Sequence, residues 1–130
     1  MPKILVIDDR TDNLIALEAL LDDLIPECEV ITAQSGMDGI EKAYAEMPDT
    51  ILLDIQMPVM DGYEATVQIR KEHDKESLPI LAMTADALTG EKEKSISFGM
   101  NDHITKPVNP DILYSSIANW VKPKAASIET

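Results

Sequence analysis

The chain has 130 residues, enough for one domain with a substantial core. It carries 24 acidic and 11 basic residues, a net charge of −13 and a pI near 4.3; this argues against nucleic acid or an anionic membrane surface as a direct partner, because phosphates reward Lys and Arg. A single cysteine, Cys28, excludes an intrachain disulfide and a thiolate metal cluster; with no membrane-length apolar run and no signal-peptide layout, the expectation is a cytoplasmic protein.

In chain order, Ile4-Leu5-Val6-Ile7 reads as a strand buried on both faces. Leu14, Leu17, Leu21 and Leu24 then recur at helical spacing, with Thr11 or Asp12 as the cap and Pro26 as the stop. Cys28 to Ala33 partly alternates and suits an edge strand. Ser35 followed by Asp38 resembles a capping box, opening a helix with Met37, Ile40, Tyr44 and Met47 on one face. Ile51-Leu52-Leu53 is a third strand, and a helix over 62–72 uses Tyr63, Val67 and Ile69. Ile80-Leu81-Ala82-Met83 is a fourth strand. A charged helix over 88–98 follows, with Gly99 at its left-handed C-terminus. A weaker strand surrounds Ile104. The last helix begins at Asn109 with Pro110 in its first turn and buries Leu113, Ile117, Trp120 and Val121. The domain is expected over 2–121, and the polar stretch 122–130 reads as a tail or the start of a linker. This alternation predicts a doubly wound α/β domain, a parallel sheet with helices on both faces.

The chemistry gathers after the strands. The first run ends in Asp8-Asp9, the third in Asp54, the fourth in Thr84 and the fifth in Lys106. In an open parallel sheet these C-terminal ends share one edge, where ligands bind. Three carboxylates brought so close repel one another. Lys106 offsets one charge, and the remainder invites a divalent cation. All-oxygen ligation without His or Cys suits Mg²⁺. Carboxylate, metal, ammonium and hydroxyl together equip the edge to receive a phosphoryl group.

Asp8-Asp9, the segment Leu52-Leu53-Asp54-Ile55-Gln56-Met57-Pro58-Val59-Met60-Asp61-Gly62, then Met83-Thr84-Ala85 and Lys106-Pro107 together resemble the receiver domain of bacterial two-component response regulators. The resemblance covers residues 2–121 in order and spacing. It implies a flavodoxin-like sheet of five strands in the order 2-1-3-4-5 with five helices. It also implies Asp54 as phosphoacceptor, taking its phosphoryl group from a sensor histidine kinase or a histidine phosphotransfer protein and signalling to a downstream effector. Asp9, Asp54 and the carbonyl of Gln56 would be direct Mg²⁺ ligands, and Asp8 would hold the metal through water. Thr84 would contact the phosphoryl group and Lys106 would pair with it. Lys106-Pro107 matches a bond that is cis in the family, and Pro58 and Gly62 match the loop behind the site. Such a domain is a phosphoacceptor switch that acts only on its own phosphorylation and dephosphorylation.

The sequence departs from the family pattern at Arg10, where a small polar or acidic residue is common, and at His103, where Tyr or Phe is usual. His73 lies in a charged run and is expected at the surface. A Mg²⁺-dependent phosphohydrolase using an aspartyl-phosphate expects a second Asp two residues after the nucleophile, where this chain has Gln56. A nucleotide- or flavin-binding module expects a Gly-rich loop after the first strand, where Asp8-Asp9-Arg10 would repel phosphate.

Overall fold

The short apolar runs become five strands because each is too short for a helix and rich in β-branched residues. In the computed structural model, β1 (Lys3–Ile7), β2 (Glu29–Ala33), β3 (Thr50–Asp54), β4 (Ile80–Thr84) and β5 (Asp102–Thr105) alternate with α1 (Thr11–Leu24), α2 (Gly36–Glu46), α3 (Gly62–Arg70), α4 (Glu91–Ser97) and α5 (Pro110–Glu129). The structure describes residues 3–55, 57, 62–74, 77–84, 91–106 and 108–129, with backbone alone at 91–92 and 121–129. All strands are parallel, in the order β2-β1-β3-β4-β5. This is the flavodoxin-like arrangement expected from the sequence.

Every residue of β3 and β4 is buried, and so are Ile4 to Ile7 of β1. The outer strand β2 is half-covered, as its partial alternation predicts. Alternation along the strands divides the core in two. Leu5, Ile7, Ile51, Leu53, Ile80 and Ala82 meet Ala43 of α2 and Tyr63, Ala65 and Ile69 of α3. Ile4, Val6, Leu52, Leu81, Met83 and Ile104 meet Leu14, Leu17 and Leu21 of α1 and Leu113 and Ile117 of α5.

Several local expectations change. Neither Thr11 nor Asp12 caps α1: Arg10 is the N-cap, in extended conformation, without a side-chain cap bond. Both expected caps are engaged elsewhere. Thr11 Oγ1 accepts from Gln34 Nε2 at 2.7 Å, and the Asp12 carboxylate holds the Arg10 guanidinium. Ser35 does cap α2, its hydroxyl accepting from the Asp38 N–H at 3.1 Å.

The face of α2 differs more. Gly36, Gly39 and Ala43 meet the sheet, while Met37, Tyr44 and Met47 are exposed and only Ile40 of the expected stripe packs against the core. The helix lies so close that a Cβ at Gly39 would run into the Ile7 side chain, so a larger residue there requires Ile7 to move. Tyr44 turns toward α3 instead. Its hydroxyl donates to the Gln68 carbonyl at 3.0 Å and its ring lies 5.6 Å from that of His73, which is half-buried rather than at the surface.

In α3, Val67 faces out and Ala65 and Thr66 are buried in its place; the helix ends at Arg70, two residues short of expectation. Gly99 is left-handed, with φ 108°, as predicted. Asn109 caps α5, its side-chain oxygen accepting from the N–H groups of Asp111 and Ile112. The helix then continues to Glu129, through most of the segment read as a tail. The Val121 side chain and positions 88–90 lie outside the described residues.

Candidate functional site

The sheet's pairing register builds the site. Ile7 of β1 stands opposite Leu53 of β3, so Asp8 and Asp54 are the next residues on neighbouring strands. Alternation turns both toward the α1–α5 side, since Val6 and Leu52 two residues earlier pack there. Thr84 closes β4 one position beyond Met83, which stands opposite Asp54. Lys106 follows β5, its backbone N–H bonded to the Thr84 carbonyl at 2.6 Å. Asp8, Asp9, Asp54 and Lys106 therefore meet at one edge, and Thr84 ends the neighbouring strand at that same edge, as the sequence predicts.

Asp8 is fully buried, Asp54 is 3% exposed, Thr84 is fully buried and Asp9 reaches solvent. One carboxylate oxygen from each of Asp8, Asp9 and Asp54 can be chosen so that all three lie within 4.8 Å of one another. Lys106 Nζ sits between two of them, 3.1 Å from Asp8 Oδ2 and 3.4 Å from Asp54 Oδ2. Two buried carboxylates thus share one ammonium, and the third faces water. An all-oxygen, strongly acidic cluster with an open side is the donor set of a hard divalent cation, so these residues fit Mg²⁺. Gln56, Pro58 and Pro107, with the geometry of the Lys106-Pro107 bond, lie outside the described residues.

Sequence reasoning missed two donors to Asp8. The Arg10 N–H donates to Asp8 Oδ1 at 3.0 Å, and Asn13 Nδ2 donates to Asp8 Oδ2 at 3.3 Å. The available signal was spacing: Asn13 is in the first turn of α1, where side chains lean back toward the preceding strand end. The Arg10 side chain stays out of the site. Its fork grips Asp12, with bonds of 3.3 and 3.2 Å, which raises the guanidinium above its usual range and holds the Asp12 carboxyl below its own. His103 is half-buried on β5, opposite Ala82. A cavity of about 240 Å³ adjoins the site between α1 and the segment after β5, lined by Asn13, Ala16, Leu17, Leu20, Lys106 and Val108.

The back of the site depends on Gly62. A Cβ there would stand 2.6 Å from Ile55 Cα and 2.8 Å from the Asp54 carbonyl oxygen, both backbone atoms. Only glycine lets α3 start directly behind the phosphoacceptor candidate.

Comparison with known proteins agrees with this geometry. The family model of the response regulator receiver domain matches residues 4–118. The sensor protein GacS of Pseudomonas syringae pv. syringae is 37% identical over 122 residues, 92% of this chain, and the chain spans 13% of that protein's length. Protein PilH of Pseudomonas aeruginosa is 32% identical over 90% of this chain and 95% of its own length. Among solved structures, the receiver domain of sensor histidine kinase PA1611 from P. aeruginosa PAO1 superposes with a TM-score of 0.83 and 34% identity, covering 93% of this chain and 98% of that one. That structure is described as having a magnesium ion coordinated in its active site cleft. With an acidic pocket at the C-terminal sheet edge, a 2-1-3-4-5 parallel sheet and a family match across nearly its whole length, this chain belongs to the response regulator receiver domains, the phosphorelay modules of two-component signalling.

Proposed function

We propose that Asp54 accepts a phosphoryl group from the phosphohistidine of a sensor histidine kinase or a histidine phosphotransfer protein, and that the phosphorylated domain signals to a downstream effector. The observation that carries this reading is the Asp54 carboxylate: buried at the end of a central strand, gathered with Asp8 and Asp9, and 3.4 Å from the Lys106 ammonium. Asp9, Asp54 and the carbonyl of Gln56 would hold Mg²⁺ directly, with Asp8 acting through water. When bound, the metal would neutralise the carboxylates and draw charge from the phosphoryl oxygens.

The chain's own groups supply the rest. An Asp54 oxygen attacks phosphorus, the P–N bond breaks, and the imidazole departs with the bonding pair and takes up a proton. Lys106, already beside Asp54, pairs with charge on the transferring oxygens. The Thr84 hydroxyl, one strand away at the same edge, donates to a phosphoryl oxygen. The domain turns over nothing except its own acyl phosphate. The phosphohydrolase reading has no support at the position where it needs a second acid, which is Gln56. A cytoplasmic location accords with this role; among the described residues no helix is long and apolar enough to cross a membrane.

The test is incubation with acetyl phosphate and Mg²⁺, followed by intact mass measurement. The wild-type protein should gain one phosphoryl group that is lost at alkaline pH. Asp54→Ala should gain none. Normal labelling of Asp54→Ala would place the acceptor elsewhere and overturn the assignment.

A further inference from the structure

We propose that Asn13 is a positioning residue for the acidic cluster, which sets the strength of Mg²⁺ binding by orienting Asp8; this rests on the phosphoacceptor reading above. Asp8 is fully buried, and its two oxygens receive three donors. The Arg10 N–H takes Oδ1 at 3.0 Å, while Asn13 Nδ2 at 3.3 Å and Lys106 Nζ at 3.1 Å both take Oδ2. The Arg10 bond is supplied by backbone and tolerates any residue. Lys106 is divided between Asp8 and Asp54, the latter at 3.4 Å. Among the described residues, Asn13 is therefore a side chain whose hydrogen bond to the cluster goes to Asp8 and is not shared with Asp54.

Its placement follows from the chain. α1 begins at Thr11, so Asn13 lies in its first turn, and helical side chains lean toward the N-terminus. The amide reaches back across the β1–α1 turn to the carboxylate that ends the strand. An amide suits this position better than an acid. It donates a hydrogen bond without adding a fourth negative charge to a cluster of three. Without Asn13, Oδ2 keeps only Lys106. The ammonium is then drawn toward Asp8 and away from Asp54, and the Asp8 plane loses one of its three restraints. Groups that orient directly ligating side chains typically change metal affinity about 10- to 100-fold when removed, and because Asp8 acts through water the lower end of that range applies to Asn13.

The experiment uses the whole chain and three variants: Asn13→Ala, Asn13→Leu and Leu20→Ala. Leu fills the volume of Asn without a donor, and Leu20 lines the same cavity about two turns further along α1. Mg²⁺ alone is titrated by following backbone amide shifts. Phosphorylation by acetyl phosphate is then timed at saturating Mg²⁺, and thermal unfolding is recorded for each protein. Both Asn13 variants should weaken Mg²⁺ binding about 10-fold and keep the saturated rate within about threefold of wild type. Leu20→Ala should lower the melting temperature while leaving Mg²⁺ affinity within about twofold. Unchanged affinity in the Asn13 variants overturns the proposal. So does an equal loss in Leu20→Ala, which would reduce Asn13 to a packing role. If the wild-type chain neither binds Mg²⁺ nor gains a phosphoryl group, the phosphoacceptor reading itself fails and this inference falls with it.

Discussion

Replacing Arg70 by Met should unfold this domain far more easily without disturbing its acidic site. Arg70 closes α3, and its guanidinium donates to five oxygens: Gly99 O at 2.7 Å, Leu78 O at 2.8 Å, Asn101 Oδ1 at 2.9 Å, Asp74 O at 3.0 Å and His73 O at 3.1 Å. One side chain thereby ties the end of α3 to the entry of β4 and to the turn between α4 and β5. Asn101 passes the restraint on, because its Oδ1 also accepts from the Ile80 N–H. Burial lowers the guanidinium to about 10, with Asp74 opposing, so it remains a cation at neutral pH. Met has similar length and no donors. Four of the five bonds are partly buried, and at about 1 kcal/mol each their loss costs about 4 kcal/mol. Relief of the guanidinium's desolvation returns about 1 kcal/mol, leaving a net loss of ~3 kcal/mol. For a chain of 130 residues this corresponds to a melting temperature lower by roughly 10 °C. Arg70→Lys keeps the charge but not the fork, so it should lose about 2 kcal/mol. Urea unfolding followed by circular dichroism measures both. A loss under ~1 kcal/mol for Met, or a Lys variant as stable as wild type, would refute the reasoning. The network lies at the N-terminal end of β4, opposite the acidic edge. Mg²⁺ affinity of the folded variant should therefore match wild type.

Met47 holds a left-handed backbone, φ 50°, at the C-terminus of α2, and its side chain is 61% exposed. Met47→Gly should therefore raise stability by about 1 kcal/mol in the same urea assay, and a less stable variant would count against strain at this residue. Gly62→Ala forces a methyl group against the Ile55 and Asp54 backbone. It should cost about 2–3 kcal/mol and slow acetyl-phosphate labelling, whereas normal stability and labelling would show that the loop yields freely. The Asp12 carboxyl, held down first by its hydrogen bond to Arg10, should titrate below 3.8 by carbon NMR and return toward that value in Arg10→Ala. Because its folded pKa is lowered, the pair contributes above the ordinary carboxylate pKa and is lost as pH falls through the depressed one. An Asp12 midpoint unmoved by Arg10→Ala would dissolve the pair.

The strands, their order along the chain and the residues closing them were legible without coordinates, because each signal is local. A run such as Ile4 to Ile7 must be buried on both faces, and parallel crossovers then bring Asp8, Asp54, Thr84 and Lys106 to one edge whatever the helices do in detail. Local periodicity failed where the distance between elements decides the outcome. In α2 the larger apolar side chains, Met37, Tyr44 and Met47, suggested the core face, yet Gly36, Gly39 and Ala43 meet the sheet, and the approach is so close that a Cβ at Gly39 would displace the Ile7 side chain. Thr11 and Asp12 both had the chemistry of a cap, but Gln34 and Arg10 claimed them from outside the helix start. The division of Lys106 between Asp8 and Asp54, the reach of Asn13 to Asp8 and the five bonds of Arg70 likewise leave no pattern in the sequence. They depend on ångström-scale separations between segments far apart in the chain or across a turn, which packing alone determines.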